Sequence, residues 1–286
     1  MNEPVSLVFE TFKTCGVSID TLLKNPSTDY LTSQNSSGDM QLKVDVQADK
    51  LIEERLLALE CIKGVCSEEK QEAVYKADSH ATLLVAYDPL DGSSLVDSNL
   101  SIGTIFGIYE NVLESHALIA SGYIVYGPRL EIVLAHKEVE HWRYCNGVWH
   151  HLGVLRLGKK GKINAPGGTQ QYWAPRHKTL IDSLFAQGYR LRYSGGMVPD
   201  LHQILIKGGG LFSYPATQDA PEGKLRKLFE VFPFAFVYEC AGGEAIEGTK
   251  RLLELDVKHI HDSTPCFFGS SEEIAQVKHA YSKNDK

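Results

Sequence analysis

The chain of 286 residues has no apolar run that approaches the roughly 20 residues of a membrane-spanning helix. It has no surplus of basic residues either: 29 Lys and Arg stand against 36 Asp and Glu, a formal net charge of −7. That balance argues against a nucleic-acid or anionic-membrane surface, so neither partner is expected. An anionic substrate would then need local help from cations or a basic pocket. Six cysteines, at positions 15, 61, 66, 145, 240 and 266, are scattered, and no second pair with zinc-site spacing joins Cys61 and Cys66. They read as reduced core thiols of a cytoplasmic protein rather than as a disulfide framework. The opening MNEPVSLVFETFK carries acids early and no long apolar block, so it does not read as a signal peptide. There is no internal repeat, no low-complexity tract and no G-x-G-x-x-G frame; Gly208-Gly209-Gly210 reads as the end of a helix.

What is present is an ordinary globular composition, 43% hydrophobic and 23% charged, long enough for one large domain or two medium ones. Val5, Val8, Phe9 and Phe12 follow helical spacing. Residues 25–39 are polar and turn-rich and read as a loop, and a second helix runs from about Val46. Strand-like runs at 82–87, 101–109, 117–126 and 130–135 lie close enough together for an antiparallel or mixed sheet. After GKKGK at 158–162, a solvated loop, helices at 176–187, 197–207 and 223–230 alternate with strands at 189–193 and 210–214. The apolar segment Pro233 to Ala241 stops at Gly242-Gly243, a helix C-terminal signal. A boundary near residue 160 divides the chain into 1–160 and 161–286, an α/β protein with a sheet-and-helix layer on each side. His141, His150 and His151 surround Gly147 and read as a turn with polar faces rather than a zinc site; His259 and His261 read as strand and turn.

The chemistry starts where the apolar run Thr82 to Tyr87 ends in Asp88-Pro89-Leu90-Asp91-Gly92-Ser93-Ser94. Two carboxylates at the exit of an interior strand are costly to desolvate unless a cation neutralises them. Hard divalent ions such as magnesium take several oxygen ligands, and Asp88, Asp91 and the Leu90 carbonyl between them offer three. Gly92, Ser93 and Ser94 can turn consecutive N–H groups outward as a nest for a phosphate. Cations beside a phosphate nest imply phosphoryl chemistry, in which they stabilise attacking and leaving oxygens. Other acids supply further ligands only if the fold gathers them: Asp39 after Ser37-Gly38, Asp45, Glu68-Glu69, and Glu230 at the close of GKLRKLFE. Taken singly, Asp88 and Asp91 cap a turn, Glu68-Glu69 is a solvated loop, Asp39 a Gly-Asp turn and Glu230 an exposed helix face.

Together they form a pattern. DPLDGSS followed by SIGTIFGIY, with SGD and Asp45 six residues on, SEE at 67–69, RYSGGMVPDLH, FSYPA and GKLRKLFE in order, resembles the class I fructose-1,6-bisphosphatases. That family belongs to the lithium-sensitive, metal-dependent sugar and inositol phosphatases, and the resemblance runs from about Ser37 to near the C-terminus. It implies a layered α-β-α-β-α sandwich of two mixed or antiparallel sheets. It also implies a gluconeogenic homotetramer that hydrolyses the 1-phosphate of fructose 1,6-bisphosphate with magnesium, two or three ions to a subunit, manganese or zinc substituting. By position, Glu68, Asp88, Asp91, Glu230 and the Leu90 carbonyl hold the metals, with Asp39 near a third; Asp45 and Glu69 activate water. Asn164, Arg192, Tyr193, Met197, Tyr214, Lys224 and Arg226 match substrate-binding positions. Tyr214 and Lys224 meet the 6-phosphate, and Arg192 reaches a neighbouring subunit's site.

Sedoheptulose-1,7-bisphosphatase, or an enzyme using both sugars, shares these features. A non-catalytic sugar-phosphate sensor would have lost some of the acids, and all the matched ones are present. Departures from the family pattern are Gly167 where a tyrosine is usual, with Tyr172 a candidate substitute, and a shorter N-terminal arm. Thr82-Leu83 and Glu110 stand where animal members bind AMP, so inhibition by AMP is not expected.

Overall fold

Val5, Val8, Phe9, Phe12, Cys15 and Ile19 fall on one side of a helical repeat, and α1 (Glu3–Leu23) buries all six. The computed structural model describes residues 3–24, 30–34, 40–77 and 80–282, with backbone alone for 30–34 and 40–42. After α1 come β1 (Tyr30–Gln34) and β2 (Met40–Leu42), a small antiparallel pair, then α2 (Lys43–Leu57). The expected loop at 25–39 therefore contains a strand. Its polar residues pair with β2 through the backbone, which needs no apolar alternation. Asp39 lies outside the described residues. The helix expected from Val46 begins at Lys43, so Asp45 enters its first turn.

Eight strands follow in the first half: β3 (Ile62–Ser67), β4 (Val74–Tyr75), β5 (Leu83–Asp91), β6 (Ile102–Glu110), β7 (Leu118–Tyr126), β8 (Leu130–Ala135), β9 (Val139–Cys145) and β10 (Val148–Val154). They form one sheet in the order β10-β9-β8-β7-β6-β5-β3-β4. Only β3 and β5 pair in parallel. The second half supplies β11 (Ile163–Pro166), α3 (Pro175–Ala186), β12 (Arg190–Leu191), α4 (Met197–Ile206), β13 (Leu211–Tyr214), α5 (Phe232–Cys240), β14 (Glu244–Ile246), β15 (Cys266–Gly269) and α6 (Ser271–Ser282). Its five strands run β12-β11-β13-β15-β14, parallel on one side of β13 and antiparallel on the other.

Alternation along the strands sorts the core into layers. Val85, Tyr87, Phe106 and Ile108 pack with α1 and α2 on one face of the large sheet. Leu84, Ala86, Ile105 and Tyr109 face the other way, onto α4 and α5, which also cover Ala165, Phe212 and Phe268 of the small sheet. Leu211 and Phe267, on the far face of the small sheet, pack with Leu180, Ile181 and Leu184 of α3 and Ile274 and Val277 of α6. The fold is thus the layered α-β-α-β-α sandwich, and β5, buried on both faces along its whole length, lies at its centre.

The expected helix over 223–230 is absent. Residues 221–225 run as turn and bend, Arg226 is extended and bridges to Ser263, and a single wide turn, Lys227–Val231, leads into α5. Pro233 fits that helix start because it lacks the N–H that an interior position requires. The strand expected at 189–193 shortens to β12. Asn146 and Gly147, both at positive φ, turn the β9–β10 hairpin. Cys145, at its end, is exposed, unlike a core thiol, while Cys15, Cys66 and Cys266 are buried.

Candidate active site

The strand β5 delivers its acids into the interface between the two sheets. Asp88 and Asp91 are 5% and 7% exposed, and Glu230, from the wide turn 139 positions after Asp91, is 4% exposed. One carboxylate oxygen from each lies within 4.8 Å of the others. Glu230 is therefore not an exposed helix-face residue. Each acid is aimed by backbone groups: the Leu90 N–H donates to Asp88 Oδ1 at 2.9 Å. The N–H groups of Met197 and Val198, at the start of α4, donate to the two oxygens of Asp91 at 3.2 and 2.6 Å. The Arg226 N–H donates to Glu230 Oε2 at 2.6 Å. Asp88 thus caps its local turn as well as joining the cluster, whereas Asp91 receives the distant N–H groups of α4 rather than capping a turn of its own.

Glu68, at the end of β3, joins through Arg226, whose Nη1 is 2.9 Å from Glu68 Oε1 and 3.8 Å from Glu230 Oε2. Four carboxylates against one guanidinium leave an uncompensated negative charge in a buried place. Burial pushes Asp88 well above its usual range, and the charges of Glu68, Asp91 and Glu230 add to that push. Burial likewise raises Asp91 to about 7, although the two α4 N–H groups oppose the shift. Glu230 rises to about 8 through burial and the Glu68 charge, against the pull of Arg226. Oxygen-only donors with excess negative charge suit hard divalent cations.

Asp45 is 4% exposed on α2. Glu69 is tied toward the same helix by its neighbour: Lys70 pairs with Glu53 and lies 3.4 Å from Asp49, one turn beyond Asp45. Tyr87 donates its hydroxyl proton to Asp49 Oδ1 at 2.9 Å, so β5, the Glu68-Glu69 segment and α2 are locked together. Gly92 at φ 78 opens a short helical turn over Ser93–Ser98. Ser93 and Ser94 occupy its first positions, where N–H groups have no acceptor within the turn.

Beside Asp91 a cavity of about 100 Å3 is lined by Tyr193, Met197, Tyr214 and Lys224, four of the expected substrate residues, with Gly195, Gly196, Phe212 and Leu225. Arg226 sits among the acids instead. Asn164 is fully buried, pairs in register with Leu211, and shares with it the sheet face turned toward α3 and α6; among the described residues neither of its side-chain polar atoms has a hydrogen-bond partner. Arg192 is exposed on the outer rim. The space where a side chain at Gly167 would begin is taken by the Tyr214 ring, 2.5 Å from the ideal Cβ position, and the Tyr193 ring, 3.1 Å away. Tyr172 does not line the cavity.

Sequence reading missed Asp200, 2% exposed, whose two oxygens accept the Ser194 N–H at 2.9 and 3.0 Å and so fix the Gly195-Gly196 wall of the cavity. No local pattern marks it. Asp49 and Glu53 were missed too, yet their spacing of four and eight residues from Asp45 places all three on one helix face and was legible.

Comparison with known proteins agrees with this geometry. Residues 28–152 match the family model of the fructose-1-6-bisphosphatase N-terminal domain, and residues 157–282 that of the C-terminal domain. A class 1 fructose-1,6-bisphosphatase of Helicobacter hepaticus is 64% identical over 277 residues, covering 97% of this chain and 99% of that protein. One from Campylobacter jejuni is 51% identical over 269 residues, covering 93% and 96%. The crystal structure of Leishmania major fructose-1,6-bisphosphatase in holo form superposes with a TM-score of 0.93 at 28% identity, over 99% of this chain and 95% of that one.

Proposed function

The chain belongs to the fructose-1,6-bisphosphatase family, and we propose that it hydrolyses the 1-phosphate of fructose 1,6-bisphosphate, releasing phosphate and fructose 6-phosphate, in gluconeogenesis. The observation that carries this reading is the buried, under-neutralised cluster of Asp88, Asp91, Glu230 and Glu68 next to a cavity lined by Lys224, Tyr214 and Tyr193. We assign Glu68, Asp88, Asp91, Glu230 and the Leu90 carbonyl as magnesium ligands, with Asp39 near a further ion. The raised carboxylate pKa values support this, since bound cations would relieve the charge that burial penalises.

Bound magnesium would neutralise developing charge on the transferring phosphoryl group. The chain's own groups do the rest. Asp45 and Glu69, from α2 and the end of β3, take the proton of the attacking water. The Gly92-Ser93-Ser94 turn cradles the oxygens of the 1-phosphate. Lys224 and Tyr214 hold the remote 6-phosphate, and that binding orients the reacting end. Met197 and Tyr193 wall the sugar. Arg226, lying among the acids, answers to the reacting end of the substrate better than to its remote end.

In this reading residues 1–160 carry most of the metal site and 161–286 the sugar and 6-phosphate site, with Glu230 crossing between them. We further assign the protein to the cytoplasm as a homotetramer in which the exposed Arg192 serves a neighbouring subunit. Glu110 and Thr82-Leu83, at the family's AMP positions, leave AMP without a cationic partner. The test is phosphate release from fructose 1,6-bisphosphate, with sedoheptulose 1,7-bisphosphate in parallel, at graded magnesium. Magnesium-dependent release from the fructose ester is expected. Release from neither sugar would leave only a sensor, and preference for the seven-carbon ester would move the substrate assignment.

A further inference from the structure

A second group of ligating side chains converges outside the substrate cavity. Glu131 on β8, His141 on β9 and His202 on α4 place one ligand atom each within 4.8 Å of one another. His141 Nε2 is 2.9 Å and His202 Nε2 is 3.2 Å from the same oxygen, Glu131 Oε2. The other oxygen, Oε1, accepts the Nε–H of Arg143 at 2.7 Å and lies 3.2 Å from Arg129 Nε. Tyr123 OH stands 3.1 Å from His202 Nδ1. A cleft of about 250 Å3, lined by Glu131, His202, Ser101, Arg129 and Gln203, opens onto the group from outside.

We propose that these three residues form a binding site for a borderline divalent transition ion such as zinc, held by His141 Nε2, His202 Nε2 and Glu131 Oε2, with water from the cleft as fourth ligand. Bonds of about 2.0–2.1 Å in a tetrahedral site put neighbouring ligand atoms about 3.3 Å apart, so the two spacings to Glu131 Oε2 need to grow by a few tenths of an ångström, while the two imidazole nitrogens lie within 4.8 Å of each other. The surroundings match what such ligands require. With Nε2 giving its lone pair to the ion, His202 donates its Nδ1–H to the Tyr123 hydroxyl oxygen, which fixes the ring and its tautomer. Arg143 and Arg129 orient the carboxylate from its far oxygen.

Those two guanidiniums also cancel the carboxylate charge. Charge therefore draws no ion here, and affinity must come from the two imidazoles. Magnesium and calcium, which want oxygen ligands and negative charge, are excluded, while zinc, cobalt and nickel are accepted. An ion at this place would join β8 and β9 to α4, the helix whose first N–H groups hold Asp91.

The test is titration of metal-stripped full-length protein with cobalt(II) in excess magnesium, which keeps the oxygen-only acid cluster filled. Visible bands of four-coordinate cobalt, saturating at one equivalent and bleached by zinc, are expected. His141→Ala and His202→Ala should lose them. Glu230→Gln should keep them, which separates this site from the proposed active site. X-ray absorption of the zinc-loaded wild type needs no variant and should show imidazole scattering from two ligands. Identical cobalt spectra for wild type and His141→Ala, or zinc scattering without imidazole, would reduce the group to a hydrogen-bonded ion-pair network and overturn the proposal.

Discussion

Two buried carboxylate clusters in this protein titrate in opposite directions. Around β5, Asp88, Asp91, Glu230 and Glu68 share one guanidinium, and burial with mutual repulsion raises the first three. Around β8, a single Glu131 faces two guanidiniums and two imidazoles; burial there pushes upward as well, but the hydrogen bonds of His141, His202 and Arg143 win and hold it far below the usual range. Residue type and burial are alike in the two places. The ratio of acids to cationic partners decides whether a site lacks positive charge or already has it. The first cluster would gain hard ions by charge, whereas the second can gain an ion only through nitrogen lone pairs.

Breaking the two clusters in parallel gives the largest expected effects. Glu230→Gln should lower kcat by about a thousandfold or more with the fold intact, because the neutralising cation is lost from the phosphoryl oxygens. Glu131→Gln should leave magnesium-dependent turnover near that of the wild type but lower stability by about 3 kcal/mol in denaturant unfolding, since it strips the partner from the buried imidazoles and from Arg143. Equal losses of turnover in the two variants would erase the distinction between them.

At the cavity beside the first cluster, Lys224→Ala should raise KM for fructose 1,6-bisphosphate by about 2–4 kcal/mol of lost binding while changing kcat less. Steady-state kinetics at saturating magnesium separates the two constants.

The pH dependence of stability sharpens the comparison further. Asp91 and Glu230 have folded pKa values raised to about 7 and about 8, so the folded state binds their protons more tightly than the unfolded chain does. Their contribution is fully present below the ordinary carboxylate range near about 4 and is lost as pH rises through about 7 to 8. Metal-free protein should therefore lose thermal stability between about pH 5 and 9, and magnesium or Glu230→Gln should flatten the slope. Glu131, lowered, contributes at every pH above its unfolded value and loses that contribution only in strong acid, so Glu131→Gln should leave the slope in place. A metal-free melting temperature that rises over this range would contradict the charge reading of the first cluster.

The smallest expected effect is none. AMP titrated against initial rate at sub-saturating substrate should leave the rate within error of the control, because Glu110 and the Thr82-Leu83 pair offer the nucleotide phosphate no positive charge. Half-inhibition at micromolar AMP would reveal a nucleotide pocket built from other residues.

Much of the site was legible because its parts are local. The apolar run before Asp88 made an interior strand; it continues past the expected end at Tyr87, through Pro89 to Asp91 with a register shift after Asp88, and Gly92 marks where it stops. DPLDGSS set two acids beside a glycine turn, and the structure carries both acids into the buried cluster. The misreadings came where neighbours in space outvoted neighbours in sequence. Residues 223–230 carry helix-forming Lys, Leu and Glu, yet Arg226 is drawn extended to Ser263, and its N–H goes to Glu230 rather than into a helix. His141 belonged to a polar hairpin by its local pattern, but its side chain lies buried against Glu131, ten residues earlier, and His202, sixty-one later.

The sequence by itself determined which carboxylates exist, which strand end carries two of them, and which glycines and prolines let the chain turn there, because those follow from residue type and periods of two and 3.6. Only the tertiary structure decided that Glu68 and Glu230 join Asp88 and Asp91, that Asn164 faces away from the cavity, and that Glu131 is matched while Glu230 is not. Those outcomes depend on burial and on distances between segments far apart in the chain. Electrostatic energy is set by both, and neither is encoded in any short stretch of residues.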